Sequence, residues 1–418
     1  MNTDVDVVIV GTRPAGAASA MLLAQAGLRV LAVDRARFPS DTLSTHQVQL
    51  PGVACLRRWG LLDKVAASGC PATPDVRFDN GDVVLAGSYP RFEDVDAVYS
   101  PRRTILDAIM VDAARAAGAE ILEGFDVDEV LAEDGGVSGV RGRPRGGDSA
   151  ARTIRARLVI GADGKHSRVA QAVGARAYQE HPARSAGIYT YWSGLPVDGG
   201  ELYARERLVV GAWPTNDGLT MTFVGIPVAE FRGFHADIEA NLLAALDRCA
   251  DLGARARDAV RAEPIRATPD TPNVVRQPYG PGWALVGDAG LVMDPGTGQG
   301  IGHALRDAES LSAAVIAGLT GQSPLETALA AHHARRDKAV LPMYKFTLGL
   351  ASFAPDPAGA ILFRALARAD QSRVDEFLGV ITGAVPLDEY MKPGNMRRIV
   401  GLGGLLKVIG SQIGRRKG

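Results

Sequence analysis

Between an apolar strand and an alanine-rich helix the chain reads Gly11-Thr12-Arg13-Pro14-Ala15-Gly16, a turn suited to holding a pyrophosphate. The chemistry of such a turn is electrostatic. Its first glycine permits a tight reversal, its last lets helix and strand approach closely, and unpaired N–H groups at the helix N-terminus attract phosphate oxygens. Asp34 follows at the end of the next strand, at the spacing where a carboxylate accepts a hydrogen bond from a ribose hydroxyl. An acid there favours a free ribose over a 2′-phosphate. Arg13 occupies the place of the usual middle glycine, where it either obstructs the phosphates or offers them its guanidinium. Taken alone, the turn also fits an ordinary strand–turn–helix.

Two later segments repeat the logic. Leu158-Val159-Ile160-Gly161-Ala162-Asp163-Gly164 is a buried-strand pattern ending in Asp-Gly, with Arg168 shortly after. Trp283-Ala284-Leu285-Val286-Gly287-Asp288 is another such strand, followed by Asp294-Pro295-Gly296-Thr297-Gly298-Gln299-Gly300. An acid delivered to a turn by a buried strand is placed to bind a ribose or ribityl hydroxyl. A glycine-rich segment before a helix presents free N–H groups, suited to a flavin edge that becomes anionic on reduction. Each alone is equally a structural turn; three in order, each after a buried strand, point to one extended cofactor.

Other side chains carry less specific signals. His46, with an ordinary pKa of about 6.5, is suited to relay a proton or to bond substrate or flavin, and equally to satisfy a loop backbone. Tyr191, Trp192 and Trp213 are candidate liners of a substrate pocket, with core packing as the competing role. His332 and His333 are adjacent, so on a helix they do not share a face as ligands and read as a solvated pair. The three cysteines, Cys55, Cys70 and Cys249, are scattered, so neither a disulfide framework nor a metal site is expected.

The elements that must position these residues follow from periodicity. Val5 to Val10 reads as a central strand, Ala15 to Ala26 as a helix, and Leu28 to Val33 as a second parallel strand, a βαβ unit with a right-handed crossover. A hairpin is expected within 75–86 around Asn80-Gly81, and a helix from about Thr104 to Ala117. Glu120 to Arg143 reads as a β-meander with a Gly135-Gly136 turn. Strands Ser185 to Ser193, Arg207 to Ala212 and Leu219 to Ile226 predict a mostly antiparallel second lobe, closed by breaks at Pro264, Pro269 and Pro272. From about Gly300 the chain reads as mostly helical.

Composition sets outer limits. With 418 residues, 46% hydrophobic and 22% charged, the chain is long enough for several lobes around a large core. A formal charge of -1 gives no global field for nucleic acid. No apolar run reaches membrane-spanning length, and the acidic start lacks a signal peptide's basic region, so a cytoplasmic protein without stable membrane insertion is expected. The basic, amphipathic stretch from Arg397 to Lys417 is expected to pack on the body or fray rather than bind an anionic membrane.

In the order and combination of these motifs the chain resembles the group A flavoprotein monooxygenases, the p-hydroxybenzoate hydroxylase family, over roughly its first three quarters. The Arg13 substitution together with Asp41-Thr42-Leu43-Ser44-Thr45-His46-Gln47 looks like a bacterial subgroup near the geranylgeranyl reductases and halogenases. The halogenase signature Trp-x-Trp-x-Ile-Pro is absent, and Ala212 to Gly218 only loosely echoes the prenyl-reductase substrate motif. The resemblance implies a Rossmann-type FAD-binding domain of mixed α/β class with an antiparallel-sheet substrate domain and a helical C-terminal region. The expected bounds are 1–176 and 276–330 for the FAD domain, 177–275 for the substrate domain and 331–418 for the helical region. It implies that Gly11, Arg13, Pro14, Ala15, Gly16, Asp34 and Arg35 hold the ADP half of FAD. It implies that Arg103 points at FAD, that Asp163, Gly164 and Arg168 serve FAD and NAD(P)H, and that Gly287 and Asp288 meet the ribityl chain. Pro295, Gly296, Gly298, Gln299 and Gly300 would lie beneath the isoalloxazine, with His46 and Pro295 nearest the chemistry and Tyr191, Trp192 and Trp213 at the substrate. The implied reaction takes electrons from NADPH or NADH, activates O2 as a flavin C4a-hydroperoxide, and hydroxylates an aromatic or polyketide-like small molecule without a metal. The alternatives are reduction of prenyl-chain double bonds and flavin binding without turnover.

Overall fold

Four consecutive apolar residues, Val7 to Val10, are buried on both faces, as expected of a strand in the middle of a parallel sheet. The computed structural model containing that strand describes residues 4–146 and 150–415, with side chains of the last helix described through residue 409. The side chains of Arg415, Arg416 and Lys417, and the Met1-Asn2-Thr3 start, lie outside the described residues.

The elements that bear on the site begin with β1 (Val5–Val10), α1 (Pro14–Gln25) and β2 (Val30–Asp34), the expected βαβ unit. Pro14 starts α1, where its missing N–H costs nothing, and Gly27 at φ 84° ends it. Next come the hairpin β3 (Asp75–Asp79) and β4 (Val84–Ser88), helix α2 (Arg103–Ala116), β5 (Glu120–Glu123), the hairpin β6 (Phe125–Glu133) and β7 (Gly136–Pro144), and β8 (Arg152–Gly161). The second lobe supplies β9 (Ser185–Ser193), β10 (Gly200–Arg205), β11 (Leu208–Pro214) and β12 (Leu219–Pro227). Then follow β13 (Trp283–Leu285), α3 (Gly300–Leu319), α4 (Leu325–Leu350) and, at the end, α5 (Pro393–Arg415).

The first sheet runs β13, β8, β1, β2, β5 in parallel, with Tyr279–Gly280 antiparallel at its edge and β6–β7 attached to β8. Helices α1, α2 and α3 share one buried cluster with a face of this sheet. The second sheet has β9, β12, β11 and β10 as antiparallel neighbours, and β3–β4 extends it through a parallel β10–β3 pairing. Segment 75–88 therefore completes the second sheet, although the chain reaches it within the first lobe.

Three expectations need correction. Glu120 to Arg143 is not one meander: β5 pairs with β2, and only β6–β7 forms a hairpin. Gly124, at φ 66°, turns the chain between them, and the two-residue tip is Asp134-Gly135, both left-handed, rather than Gly135-Gly136. The stretch 177–275 also carries helices Phe231–Ala236, Ile238–Asp247 and Leu252–Asp258, which bury Leu242, Leu246 and Leu252 against the back of the second sheet. His332 is not a solvated surface residue: it is fully buried, with Nδ1 3.0 Å from Ser310 Oγ, while half-buried His333 lies 3.2 Å from the Tyr178 hydroxyl.

In α5, Met396 and Val408 are buried, whereas Leu402, Leu406 and Ile409 are exposed. No described helix is long and apolar enough to cross a membrane.

Candidate active site

The three glycine-bearing signatures meet at the N-terminus of α1. Gly11 sits at φ 98°, and a Cβ there would lie 2.4 Å from the Ala162 carbonyl oxygen. A Cβ on Gly16 would lie 1.8 Å from the Gly11 carbonyl oxygen, and one on Gly287 would lie 2.8 Å from the Ala15 Cβ. Gly11 and Gly16 are required by close backbone approaches and Gly287 by the Ala15 side chain, so the ends of β1, β8 and β13 converge. The first N–H groups of α1, which follow buried Pro14, lie where these strand ends converge.

Asp34 is held by its surroundings. One carboxylate oxygen accepts from the Thr12 backbone N–H at 2.7 Å and from the Thr12 hydroxyl, and the other from the Ala36 N–H at 2.8 Å. Arg35 projects into solvent beyond it.

Arg13 is held by protein partners. Its guanidinium donates to Asp107 at 2.6 Å, to the Ser40 hydroxyl at 2.9 Å and to the Asp41 carbonyl at 3.1 Å. Asp107, whose side chain has no exposure, also receives Nε and Nη2 of Arg103 at 2.8 and 3.0 Å. One buried carboxylate thus binds two guanidinium groups, and Arg13 ties the segment 38–46 to α2. Periodicity alone already put Asp107 four residues from Arg103 on one helix face, the signal that would have found it.

At the second signature, Asp163 accepts from the Ser167 hydroxyl and from the Arg168 and Val169 backbone N–H groups. Burial raises its carboxyl above the ordinary range, against those bonds. Gly164 is left-handed at φ 81°, and the Arg168 guanidinium donates to the Val127 carbonyl at 3.0 Å, which turns it toward β6. At the third, the Gly287 N–H donates to buried Asp307 of α3 at 2.9 Å. Asp288 is solvent-exposed yet ringed by protein, as at the floor of a cleft. The surrounding protein raises its carboxyl, with Arg103 and Lys165 opposing the shift.

The loop before α3 is braced from both sides. Asp294 accepts from the Ser185 hydroxyl at 2.6 Å and the Gly296 N–H at 3.0 Å, and Pro295 opens a single 3-10 turn ending at left-handed Gly298. The buried Gln299 side chain donates to the Ile381 carbonyl at 2.8 Å. Gly300 is exposed at the start of α3.

On the second sheet, strand alternation divides the three aromatic candidates. Tyr191 and Trp213 share one face with Tyr189, Met221 and Phe223. Trp192 points the other way, into the core behind the sheet, with its indole N–H on Thr222 Oγ1 at 2.8 Å, so it does not line a pocket with the other two. His46, left-handed at φ 63° and fully buried, caps the aromatic face: its Nε2 meets the Tyr191 hydroxyl, while the Ser44 backbone lies beside the ring. Burial, then the nearby Arg103 and Arg102 charges, pushes its pKa down to about 3, so the imidazole is neutral near pH 7 and does not carry a resting proton. Arg102 lies 4.9 Å from the Tyr191 ring centre and pairs with Glu263, while its neighbour Arg103 faces Asp107.

The sequence pattern of the FAD binding domain matches residues 4–344. The chain belongs to that family, the group A flavoprotein monooxygenases and their relatives. It is 31% identical over 172 residues to the 6-methylpretetramide 4-monooxygenase of Streptomyces rimosus, covering 40% of each chain. It is 26% identical over 351 residues to the menaquinone reductase of Mycolicibacterium smegmatis, covering 80% of this chain and 82% of that protein. The chain spans about half or less of the first curated relatives it matches. In fold it is similar to the myxobacterial chondrochloren halogenase CndH, with a TM-score of 0.76, 22% identity and 97% coverage of both chains.

The residues fit FAD on their own terms. Glycines 11 and 16 let the strand ends close against the start of α1, whose first N–H groups are left without helical partners, and an acid stands on either side, Asp34 and the exposed Asp288.

Proposed function

We propose that this protein is an FAD-dependent monooxygenase that uses NAD(P)H and O2 to hydroxylate an aromatic or polyketide-like small molecule. The observation that carries the reading is the meeting of three strand-borne signatures around the N-terminus of α1, across from a buried aromatic face. The overall balance is substrate, O2, NAD(P)H and a proton giving hydroxylated substrate, water and NAD(P)+. When bound, FAD supplies the redox chemistry with the nicotinamide and with oxygen.

The chain's own part is placement. In this reading Gly11, Pro14, Ala15 and Gly16 shape the pyrophosphate seat, with Asp34 at the ribose and Asp288 at the ribityl chain. The turn from Pro295 to Gly300 offers backbone N–H groups beside the flavin, where they favour negative charge. Arg103, which shares the single Asp107 carboxylate with Arg13, adds a positive field near Asp288 and His46. His46, Tyr189 and Tyr191 exclude water from the face where substrate sits.

A second reading, reduction in place of oxygenation with prenyl double bonds as its target, has in its favour the similarity to a reductase over four fifths of the chain. Labelled dioxygen separates the two. Turnover with NAD(P)H and a candidate aromatic should place one labelled oxygen in the product, whereas a saturated, unlabelled product would establish the reductase.

A further inference from the structure

Three glycines shape the front of the second sheet. Cross-strand pairing sets Tyr191, Met221 and Trp213 in one row, Tyr189, Phe223 and Gly211 in the next, and Gly187, Gly225 and Val209 in the third. A Cβ on Gly211 would lie 2.2 Å from the six-membered ring of Trp213. Cβ atoms on Gly187 and Gly225 would lie 3.0 and 3.4 Å from the ring of Phe223. Both rings therefore recline into space that side chains at 211, 187 and 225 would occupy, instead of standing upright from the sheet. The result is a low aromatic platform walled by Tyr189, Tyr191 and His46, whose rings lie 5.6–6.0 Å apart, centre to centre.

Beside this platform the Trp213 indole N–H is buried and has no partner among the described residues. Trp213 is 3% exposed, and leaving such a group unpaired costs free energy that a bound partner would recover. An indole N–H only donates, so its partner must bring an acceptor. The cations nearby are already matched: Arg102 with Glu263 and Asp217, Arg103 with Asp107, and Arg266 with Asp41.

We infer that this glycine-backed platform is the specificity-determining surface of the site, and that it takes a flat, uncharged ring system whose oxygen accepts the Trp213 N–H. The ring system stacks on Phe223 and Trp213, and its oxygen accepts the Trp213 N–H. A carboxylate on the same ring would lose water without gaining a free cation. The inference rests on the monooxygenase reading and names its substrate class.

The test measures binding to the full chain carrying oxidised FAD, without NAD(P)H, by equilibrium dialysis and by the shift of the flavin visible band. The probes are 1-naphthol, naphthalene, 1-naphthoate and decahydro-1-naphthol. 1-Naphthol should bind about tenfold more tightly than each of the others, the worth of one buried hydrogen bond, one avoided charge or one lost stack. Trp213→Phe should bring 1-naphthol down to the level of naphthalene and leave naphthalene unchanged. Gly211→Ala, which evicts the Trp213 ring, should weaken both flat probes while FAD content stays full. Tighter or equal binding of 1-naphthoate overturns the inference. So does an equal effect of Trp213→Phe on both flat probes, or failure of both to bind. Absence of FAD from reconstituted protein, or unlabelled product in the dioxygen experiment, overturns the monooxygenase reading instead.

Discussion

Asp34 shows how a single residue can serve the fold and the proposed cofactor together. Its two oxygens already brace the turn through Thr12 and Ala36, so a ribose would share a carboxylate held in place beforehand. Asp34→Ala removes both roles and should raise the FAD dissociation constant about tenfold or more. Fluorescence titration of the apoprotein reads this directly, and an unchanged constant would remove Asp34 from the site. His46 was legible as a residue of interest, but its state was not. A histidine in a polar loop reads as titratable, and only burial beside two arginines makes it neutral.

At the scale of elements, the segment 38–46 is fastened by one contact network. Arg13 joins Ser40 and Asp41 to Asp107 of α2, and the far end of the segment delivers His46 to the second sheet. Arg13→Gly restores the common glycine pattern while cutting that tie. Hydrogen exchange at residues 40–46 should then accelerate with FAD affinity within about twofold, a change too small to lose a hydrogen bond. A large loss of affinity with unchanged exchange would make Arg13 a phosphate ligand after all. Asp107→Asn leaves two guanidinium groups facing each other without their counter-charge. Urea unfolding should show a loss of about 3 kcal/mol or more, and a loss below about 1 kcal/mol would mean the pair is solvent-screened. The hairpin β3–β4 is a second lesson at this scale. Its turn residues were plain, but its partner, β10, lies far along the chain, and no local pattern names a distant partner.

Across the whole molecule, three buried histidines couple stability to pH. Burial pushes His46 and His332 down to about 3 and His303 down to about 4, while an unfolded histidine titrates near its ordinary value. Between those values the unfolded chain binds more protons than the folded one. The stability these neutral histidines contribute is therefore present above about pH 6.5 and is lost as pH falls toward 4. The urea midpoint should drop steadily from pH 7 to pH 5, and replacing His332 with Gln should flatten part of that slope. A midpoint constant over this range would mean that the three take up protons alike in the folded and unfolded chain.

The glycine turn, its acid, the two later strand–acid signatures and the strands of the second lobe were determined by the sequence alone. Each depends on interactions between residues near one another in the chain, or on a periodicity that burial imposes. What tertiary structure decided is which of those residues face one another. It brought Arg13 to Asp107, buried His332, and set His46 against Tyr191. Those outcomes depend on packing between segments far apart in sequence, where the cost of an unpaired charge or a blocked Cβ selects one arrangement among many that local propensity allows.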